Sequence, residues 1–348
     1  MLRVGVIGCG TIAQLAHLPA LSMTSAAKAV ALCDPRPKLL AAVAKRYGVR
    51  RTYGSAGDLL ADHQVEAVIL CVPTGQHHVL ALQALRAGKP VLVEKPMATS
   101  VARAEEMLTA QQQSRGRVMV GHHKRYDAGC ELAWQRLHEG ELGPPQLVTY
   151  HWSCGDWMGM SPQGLVPTDE ASTGFGYEYP AGVSAPEART AYELHLEMLT
   201  HMTNLIRWLV GDMRGVLHAV PATGHLRGLA LYSHGPFISQ CTEGPHYETE
   251  PVWRERVEVW CEAGRVTVDL PPNILVNKAA EVRVWRADGA VEERLDTPWS
   301  WAFRRQIEHF AHCLATGEPF RTSGEDCLKD IALAEAAARL VQVAAAGA

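Results

Sequence analysis

In the first third of the chain, short unbroken apolar runs alternate with longer stretches whose apolar positions recur every three or four residues. Residues 3–7, 29–33, 67–72, 90–93 and 118–121 are runs of strand length, and unbroken apolarity in such runs marks a sheet covered on both faces. Between them, 38–47, 78–87 and 101–114 carry the helical period, and the second of these is stopped by Gly88, as a helix end prefers. Strand and helix in alternation predict a parallel sheet wrapped by helices. From Leu147 onward the pattern changes. Residues 147–152, 256–261, 265–270 and 282–285 alternate apolar with polar, the mark of strands with one buried face. The expected architecture is an α/β dinucleotide-binding domain over 1–122 and an α+β domain with a largely antiparallel open sheet over 123–348. A terminal helix over 327–345 is placed so that it can pack back on the first domain. The segment 153–189, rich in Gly, Pro and Ser, reads as a long loop, and loops of that length in compact domains are often functional.

Size agrees with this division: 348 residues exceed what one hydrophobic core usually serves. A formal net charge of -4 supplies no basic field for a phosphate backbone, so nucleic acid is excluded as the expected partner. There is no uncharged apolar run of about 18 residues, and the chain starts directly in a strand-like run, so neither a membrane span nor a secretion signal is expected and the protein is read as cytoplasmic. The nine cysteines are odd in number and none forms a C-x-x-C pair. They are expected as reduced, structural thiols with no zinc-finger signature.

Candidate chemistry begins at Gly8-Cys9-Gly10-Thr11-Ile12-Ala13, a G-x-G-x-x-A turn placed after the first strand and before a helix. The glycines let backbone approach a pyrophosphate, whose charge meets the helix N-terminus. Gly8, Gly10, Thr11 and Ile12 are therefore cofactor candidates. Asp34 ends the second strand, where a carboxylate accepts the ribose hydroxyls of NAD. Arg36, two residues on, leaves NADP open, because a guanidinium there suits a 2′-phosphate.

Glu94-Lys95-Pro96 follows a strand directly, and ligands of open α/β sheets lie just beyond the carboxyl ends of strands. Lys95 is thus the first chemical candidate, with Glu94 to pair with charge or hold the loop. A second cluster sits on a predicted helix over 190–210, where Glu193, Glu197, His201 and Asn204 recur at helical spacing on one stripe of an otherwise apolar segment. Glu197 and His201 have the i, i+4 spacing of metal ligands, but no third ligand is identified and no metal site is expected. Trp152, Trp157 and Tyr177 to Tyr179, in or beside the long loop, are candidate specificity residues. His122, His123, Lys124 and Arg189 are candidate hydroxyl or anion contacts.

In the order and spacing of its motifs the chain resembles the glucose-fructose oxidoreductase, inositol dehydrogenase and rhizopine-catabolism family, Gfo/Idh/MocA, over nearly its whole length. The resemblance rests on the glycine turn, on Val72-Pro73-Thr74-Gly75-Gln76-His77, on Ala87 through Pro96, on Gly121-His122-His123-Lys124-Arg125-Tyr126-Asp127, and on Glu197 through Leu205 ending in Trp208-Leu209-Val210-Gly211. It implies a Rossmann domain carrying NAD or NADP, a second domain whose open sheet supports a homodimer or homotetramer, and a substrate held between them. It further implies that Lys95 touches the nicotinamide and the reacting hydroxyl, and that His201 is the acid-base residue with Glu197 beside it. Val72, Pro73, Thr74, His77 and Glu94 would line the cofactor, and Arg125 and Tyr126 would lie near nicotinamide and substrate; His123, Trp157 and Asn204, singled out by residue type and position and not by the resemblance, are expected to join the substrate site. The chain departs from the family pattern at Glu197 and Asn204, where Asp is frequent, and in lacking the usual glycine cluster before the helix.

The expected activity is hydride transfer between a nicotinamide and a secondary alcohol of a sugar, polyol or sugar derivative. His201 would take the hydroxyl proton, since an imidazole ordinarily titrates at about 6.5, and the Lys95 ammonium would stabilise the developing alkoxide. Two other readings stand beside it. One is NAD-dependent glycoside cleavage through transient oxidation of a sugar carbon, and the other is a non-catalytic dinucleotide sensor on the same scaffold.

Overall fold

The structure is a computed structural model, and it describes residues 1–156, 158, 164–172, 174, 176–220, 227–247, 252–289 and 291–347. The chain forms two compact units. Unit 1 comprises Met1–His122, Gln163–Glu178 and Phe303–Ile331, and unit 2 comprises His123–Pro162, Tyr179–Ala302 and Ala332–Ala348.

Unit 1 is built on six strands, β1 (Leu2–Ile7), β2 (Ala27–Cys33), β3 (Arg51–Tyr53), β4 (Ala67–Leu70), β5 (Val91–Val93) and β6 (Val118–Val120). They pair in the order β3-β2-β1-β4-β5-β6, every pair parallel. The chain starts in the middle and winds outward in both directions, which leaves a switch point between β1 and β4. All four residues of β4 and all three of β5 are buried, as strands covered on both faces must be. The helices between them are α1 (Leu18–Ser22), α2 (Pro37–Tyr47), α3 (Ala56–Ala61), α4 (His77–Arg86) and α5 (Val101–Gln112). Their limits have local causes. Pro37 opens α2 and Gly48, at φ 66, closes it, while the hydroxyls of Ser55 and Ser100 accept the Asp58 and Arg103 amides at the starts of α3 and α5.

Unit 2 opens with α6 (Ala128–His138), whose cap Asp127 accepts the amides of Gly129 and Cys130 and also, at 3.0 Å, that of Ala280. A Cβ on Gly129 would lie 2.2 Å from the Ala280 carbonyl oxygen, so only glycine allows this close approach. Next come β7 (Pro145–Gly155), α7 (Pro186–Leu194) and α8 (Thr200–Val210), then β8 (Gly215–Val220), β9 (Gly228–Ser233), β10 (Ile238–Tyr247), β11 (Trp253–Cys261), β12 (Gly264–Leu270), β13 (Glu281–Arg286) and β14 (Val291–Leu295). The sheet runs β14-β13-β12-β11-β7-β10-β9-β8. It is antiparallel except at β7/β10. One face packs on α6 and α8 through Val148, Tyr150, Val257, Val259, Val266, Val268, Met202 and Leu205. The closing helices are α9 (Ala302–Thr316), which from Phe303 on belongs to unit 1, and α10 (Gly324–Gly347), which belongs to unit 1 up to Ile331 and to unit 2 from Ala332.

Two expectations change. The helix over 190–210 is not one α-helix, because a π-turn at His195–Leu199 separates α7 from α8. The extra residue in that turn breaks the spacing that would put Glu193, Glu197, His201 and Asn204 on one stripe. The long loop is shorter than its sequence suggests, since β7 runs on to Gly155 and α7 starts at Pro186. None of the nine cysteines is in a disulfide, and all are buried. Among the described residues, no helix is long and apolar enough to cross a membrane.

Candidate active site

Four loops in unit 1 leave the carboxyl ends of neighbouring strands. Gly8 follows β1, Asp34 follows β2, Cys71 to Pro73 follow β4, and Glu94-Lys95 follow β5. Gly8 has φ 95, and a Cβ there would lie 2.2 Å from the Cys71 carbonyl oxygen. The turn is therefore pressed against the β4 loop by backbone alone. Gly10 is the opposite case, since its Cβ would meet nothing nearer than Arg36 Nη2 at 3.9 Å. The surface above the turn is open where a pyrophosphate needs room. Thr11 and Ile12 begin the helical segment that continues through a π-turn at Ala13–His17 into α1.

Asp34 is buried and fully engaged. Oδ1 accepts the Arg36 amide and Nε, and Oδ2 accepts Arg36 Nη2 and the Cys9 amide, all at 2.8–2.9 Å. Burial alone would raise the pKa of this carboxyl, but the bonds from Arg36 and the Cys9 amide hold it below the ordinary range. Carboxylate and guanidinium thus stand together beside the glycine turn, one suited to ribose hydroxyls and the other to phosphate.

Glu94 serves the loop in this structure rather than its surface. Its Oε1 lies 2.6 Å from His17 Nε2, its Oε2 accepts the Lys95 amide at 3.2 Å, and a Cβ on Gly121 would come within 3.0 Å of it. His77, expected along the cofactor, is buried and bridges two loops: Nδ1 lies 2.7 Å from the Pro96 carbonyl oxygen and Nε2 2.9 Å from that of Val72. Val72 and Pro73 are half-buried, Thr74 is buried, and Lys95 is half-buried at the head of this braced loop. The part of the long loop belonging to unit 1 runs over the same edge. Val166 donates its amide to Gln14 Oε1 at 2.7 Å, and the Glu170 carboxylate accepts the amides of Lys38 and Leu39 at 3.2 and 2.9 Å, so it caps α2 from a distance.

Unit 2 carries the other candidate residues. His201 is buried on α8 with its ring edge-on to His123 at 5.5 Å and to Trp152 at 6.3 Å. Trp152 on β7 pairs with Glu243 of β10 on one side and Glu255 of β11 on the other. This places a carboxylate, an indole and a second carboxylate in one row across the three central strands. The two carboxylates have different company. Glu255 pairs with Lys124 and accepts the Tyr150 hydroxyl at 2.5 Å, while Lys124 Nζ lies 5.2 Å from the Trp152 ring centre. Burial, then the neighbouring Glu255, pushes the Tyr150 hydroxyl far above its usual range. Glu243 is fully buried with His246 Nε2 at 2.9 Å and Arg227 Nε at 3.8 Å. The two histidine rings, His201 and His246, both face Trp152, the latter at 6.1 Å.

Several expectations are revised here. Lys124 is buried against Glu255, so it is not an exposed anion contact. Arg125 spends Nε and Nη2 on the Asn204 carbonyl oxygen at 3.1 and 2.7 Å, and Tyr126 is a core residue. Glu193 bonds the Tyr179 hydroxyl, whose ring also carries Arg189 at 4.7 Å. Glu197 is half-buried and Asn204 buried. Trp157 lies outside the described residues. The sequence does not single out Glu243 and His246 because β10 shows no alternation, and Glu255 lies just before the alternating run read over 256–261. A signal existed for Glu255, which shares the inward parity of Val257, Val259 and Cys261.

Residues 2–122 match the family model GFO_IDH_MocA, described as an oxidoreductase family with an NAD-binding Rossmann fold. Along its whole length the chain is similar to an inositol 2-dehydrogenase of Rhizobium meliloti (strain 1021), 25% identical over 97% of this chain and 96% of that one. Through residues 2–122 the chain carries the NAD-binding Rossmann domain of the Gfo/Idh/MocA oxidoreductase family. It is an oxidoreductase whose N-terminal unit is an NAD-binding Rossmann domain, and the open surface at Gly10 beside Asp34 and Arg36 fits such a cofactor. The likeness in fold to solved structures extends over both units. A 3-ketoreductase from Actinomadura kijaniata solved with NADP matches at TM-score 0.74, with 22% identity over 96% of each chain. An oxidoreductase from Agrobacterium radiobacter, solved with NAD+, L-tartaric acid and magnesium, matches at TM-score 0.74, with 20% identity over 100% of this chain and 97% of that one.

Proposed function

We propose that this protein moves hydride between NAD(P) and a secondary alcohol of a polyol or sugar, with Lys95 and His201 as its catalytic residues. The observation that carries the reading is Lys95 itself, set at the carboxyl end of β5 on a loop braced by His17–Glu94 and by His77, on the strand edge that also bears the glycine turn. The nicotinamide, when bound, supplies the hydride acceptor or donor. Gly8, Gly10, Thr11, Ile12, Asp34, Arg36, Val72, Pro73 and Thr74 hold the dinucleotide, and the Lys95 ammonium stabilises the oxygen as its proton leaves. His201 takes that proton and returns it in the reverse direction. Its ring stands edge-on to His123 and Trp152, and Glu197, His123 and Asn204 are the substrate-binding candidates that go with it. The similarity to an inositol 2-dehydrogenase supports a polyhydroxylated ring as substrate, and the dehydrogenases and reductases among the relatives favour net hydride transfer over redox-neutral glycoside cleavage.

Lys95→Ala should lower turnover about 100- to 10,000-fold while NADH binding, read by its fluorescence, survives. His201→Asn should do the same with a changed pH profile. Turnover of Lys95→Ala within a few-fold of the parent on a polyol and aldose panel would end the assignment.

The outer face of the unit 2 sheet supports a homodimer or homotetramer, with Trp260 and Ile238 exposed on its strands. Light scattering should give a mass of two or four chains, and Trp260→Glu should lower it; a monomeric parent would refute this.

A further inference from the structure

We propose that His122, Cys327 and Asp330 form a binding site for one zinc-class divalent transition-metal ion. One ligand atom from each, a ring nitrogen, the thiol sulfur and a carboxylate oxygen, lie within 4.8 Å of one another. The three residues are 3%, 1% and 3% exposed. No sequence spacing announces the group, because His122 follows β6 while the other two come from the first turns of α10.

The frame that holds them is rigid. Cys327 and Asp330 are three residues apart on one helix and so share a face. The start of that helix is tied to β6, since Val120 donates its amide to the Thr322 carbonyl at 2.9 Å and accepts the Thr322 hydroxyl at 2.7 Å. Met119 and Ser323 add a β-bridge. Gly324 allows the close approach, as a Cβ there would lie 2.8 Å from Leu108 Cδ2 and 3.1 Å from Met97 Sδ.

Charge and ligand type then select the occupant. A thiolate, a carboxylate and a neutral imidazole carry two negative charges, so a divalent cation makes the buried cluster neutral. Binding breaks the Cys327 S–H bond, forms a metal–sulfur bond and releases that proton to solvent, with no redox change. Mixed N, S and O donors suit zinc, cobalt(II) or iron(II), and the thiolate disfavours magnesium and calcium. A tetrahedral ion with bonds of about 2.0–2.3 Å spaces its ligands by roughly 3.5 Å, which side-chain rotation within the cluster reaches. Three protein ligands leave the fourth position to water. The ion would pin α10 to the sheet edge next to Gly121, which packs on Glu94.

Chelator-stripped full-length protein is titrated with cobalt(II) alone. The expected result is one ion per chain, a near-ultraviolet thiolate-to-cobalt band, strong visible absorption of tetrahedral cobalt, and competition by zinc. Cys327→Ser should remove the near-ultraviolet band and weaken binding at least ~100-fold, and Asp330→Asn should weaken it while NADH binding persists. Zinc should raise the thermal midpoint of the parent and not of Cys327→Ser. If Cys327→Ser does not fold, His122→Asn takes its place, with the same loss of intensity expected. Stripped parent protein that takes up no cobalt, or a cobalt spectrum unchanged in the variant that folds, overturns the site.

Discussion

His195 is buried at the start of the π-turn that leads to Glu197 and His201. Its Nδ1–H donates to the Ala191 carbonyl oxygen at 2.8 Å, and its Nε2 has no hydrogen-bond partner among the described residues. Burial, opposed only by the bond to Ala191, lowers its pKa to about 4. The folded pKa lies below the unfolded one, so the stability that neutral His195 contributes is complete above about pH 6.5 and is lost as pH falls through 4. With those two values, wild-type protein should lose roughly 2 kcal/mol between neutral pH and pH 5, and about 3 kcal/mol in the acid limit, through this ring alone. His195→Asn keeps a donor for Ala191 and removes the titration. All nine tryptophans lie in unit 2 with His195, so urea unfolding followed by tryptophan fluorescence reports the relevant unit. Burial also lowers His309 to about 4, but it is in unit 1 and common to both proteins, so their difference isolates His195. Parallel stability profiles for parent and variant from neutral pH to pH 5 would refute the reasoning. The same variant serves the activity measurement: an acid limb that persists in His195→Asn is not acid loosening of this helix and belongs to the reacting groups, His201 first among them.

Glu255→Gln would leave the Lys124 ammonium buried without its counter-charge. The expected cost is about 3–5 kcal/mol in urea unfolding, most of it recovered when Lys124→Met is added. A single variant losing under ~1 kcal/mol would show that the pair is solvated in solution. The Lys95, oligomer and cobalt experiments above test the reaction, the sheet face and the metal site separately, and no outcome of one decides another.

Unbroken apolar runs at strand length, with helical stretches between them and Gly88 stopping one of these, were sufficient to predict the parallel sheet, because each such signal acts within a few residues of itself. The glycine turn and Lys95 were legible for the same reason: both follow a strand immediately, and position at a strand end is a local property. Short β3 and the strands β8 to β10 were not legible, since their pairing partners, not their own alternation, fix them. Only the tertiary structure decided what the polar residues face. It turned Lys124 and Arg125 inward, gave Glu94 and His77 to the bracing of the Lys95 loop, set Glu243 and Glu255 either side of Trp152, and brought Cys327 and Asp330 to His122. Each of those is a contact between residues far apart in the chain, and burial of a charge is settled by the partner that folding supplies, which no window of sequence contains.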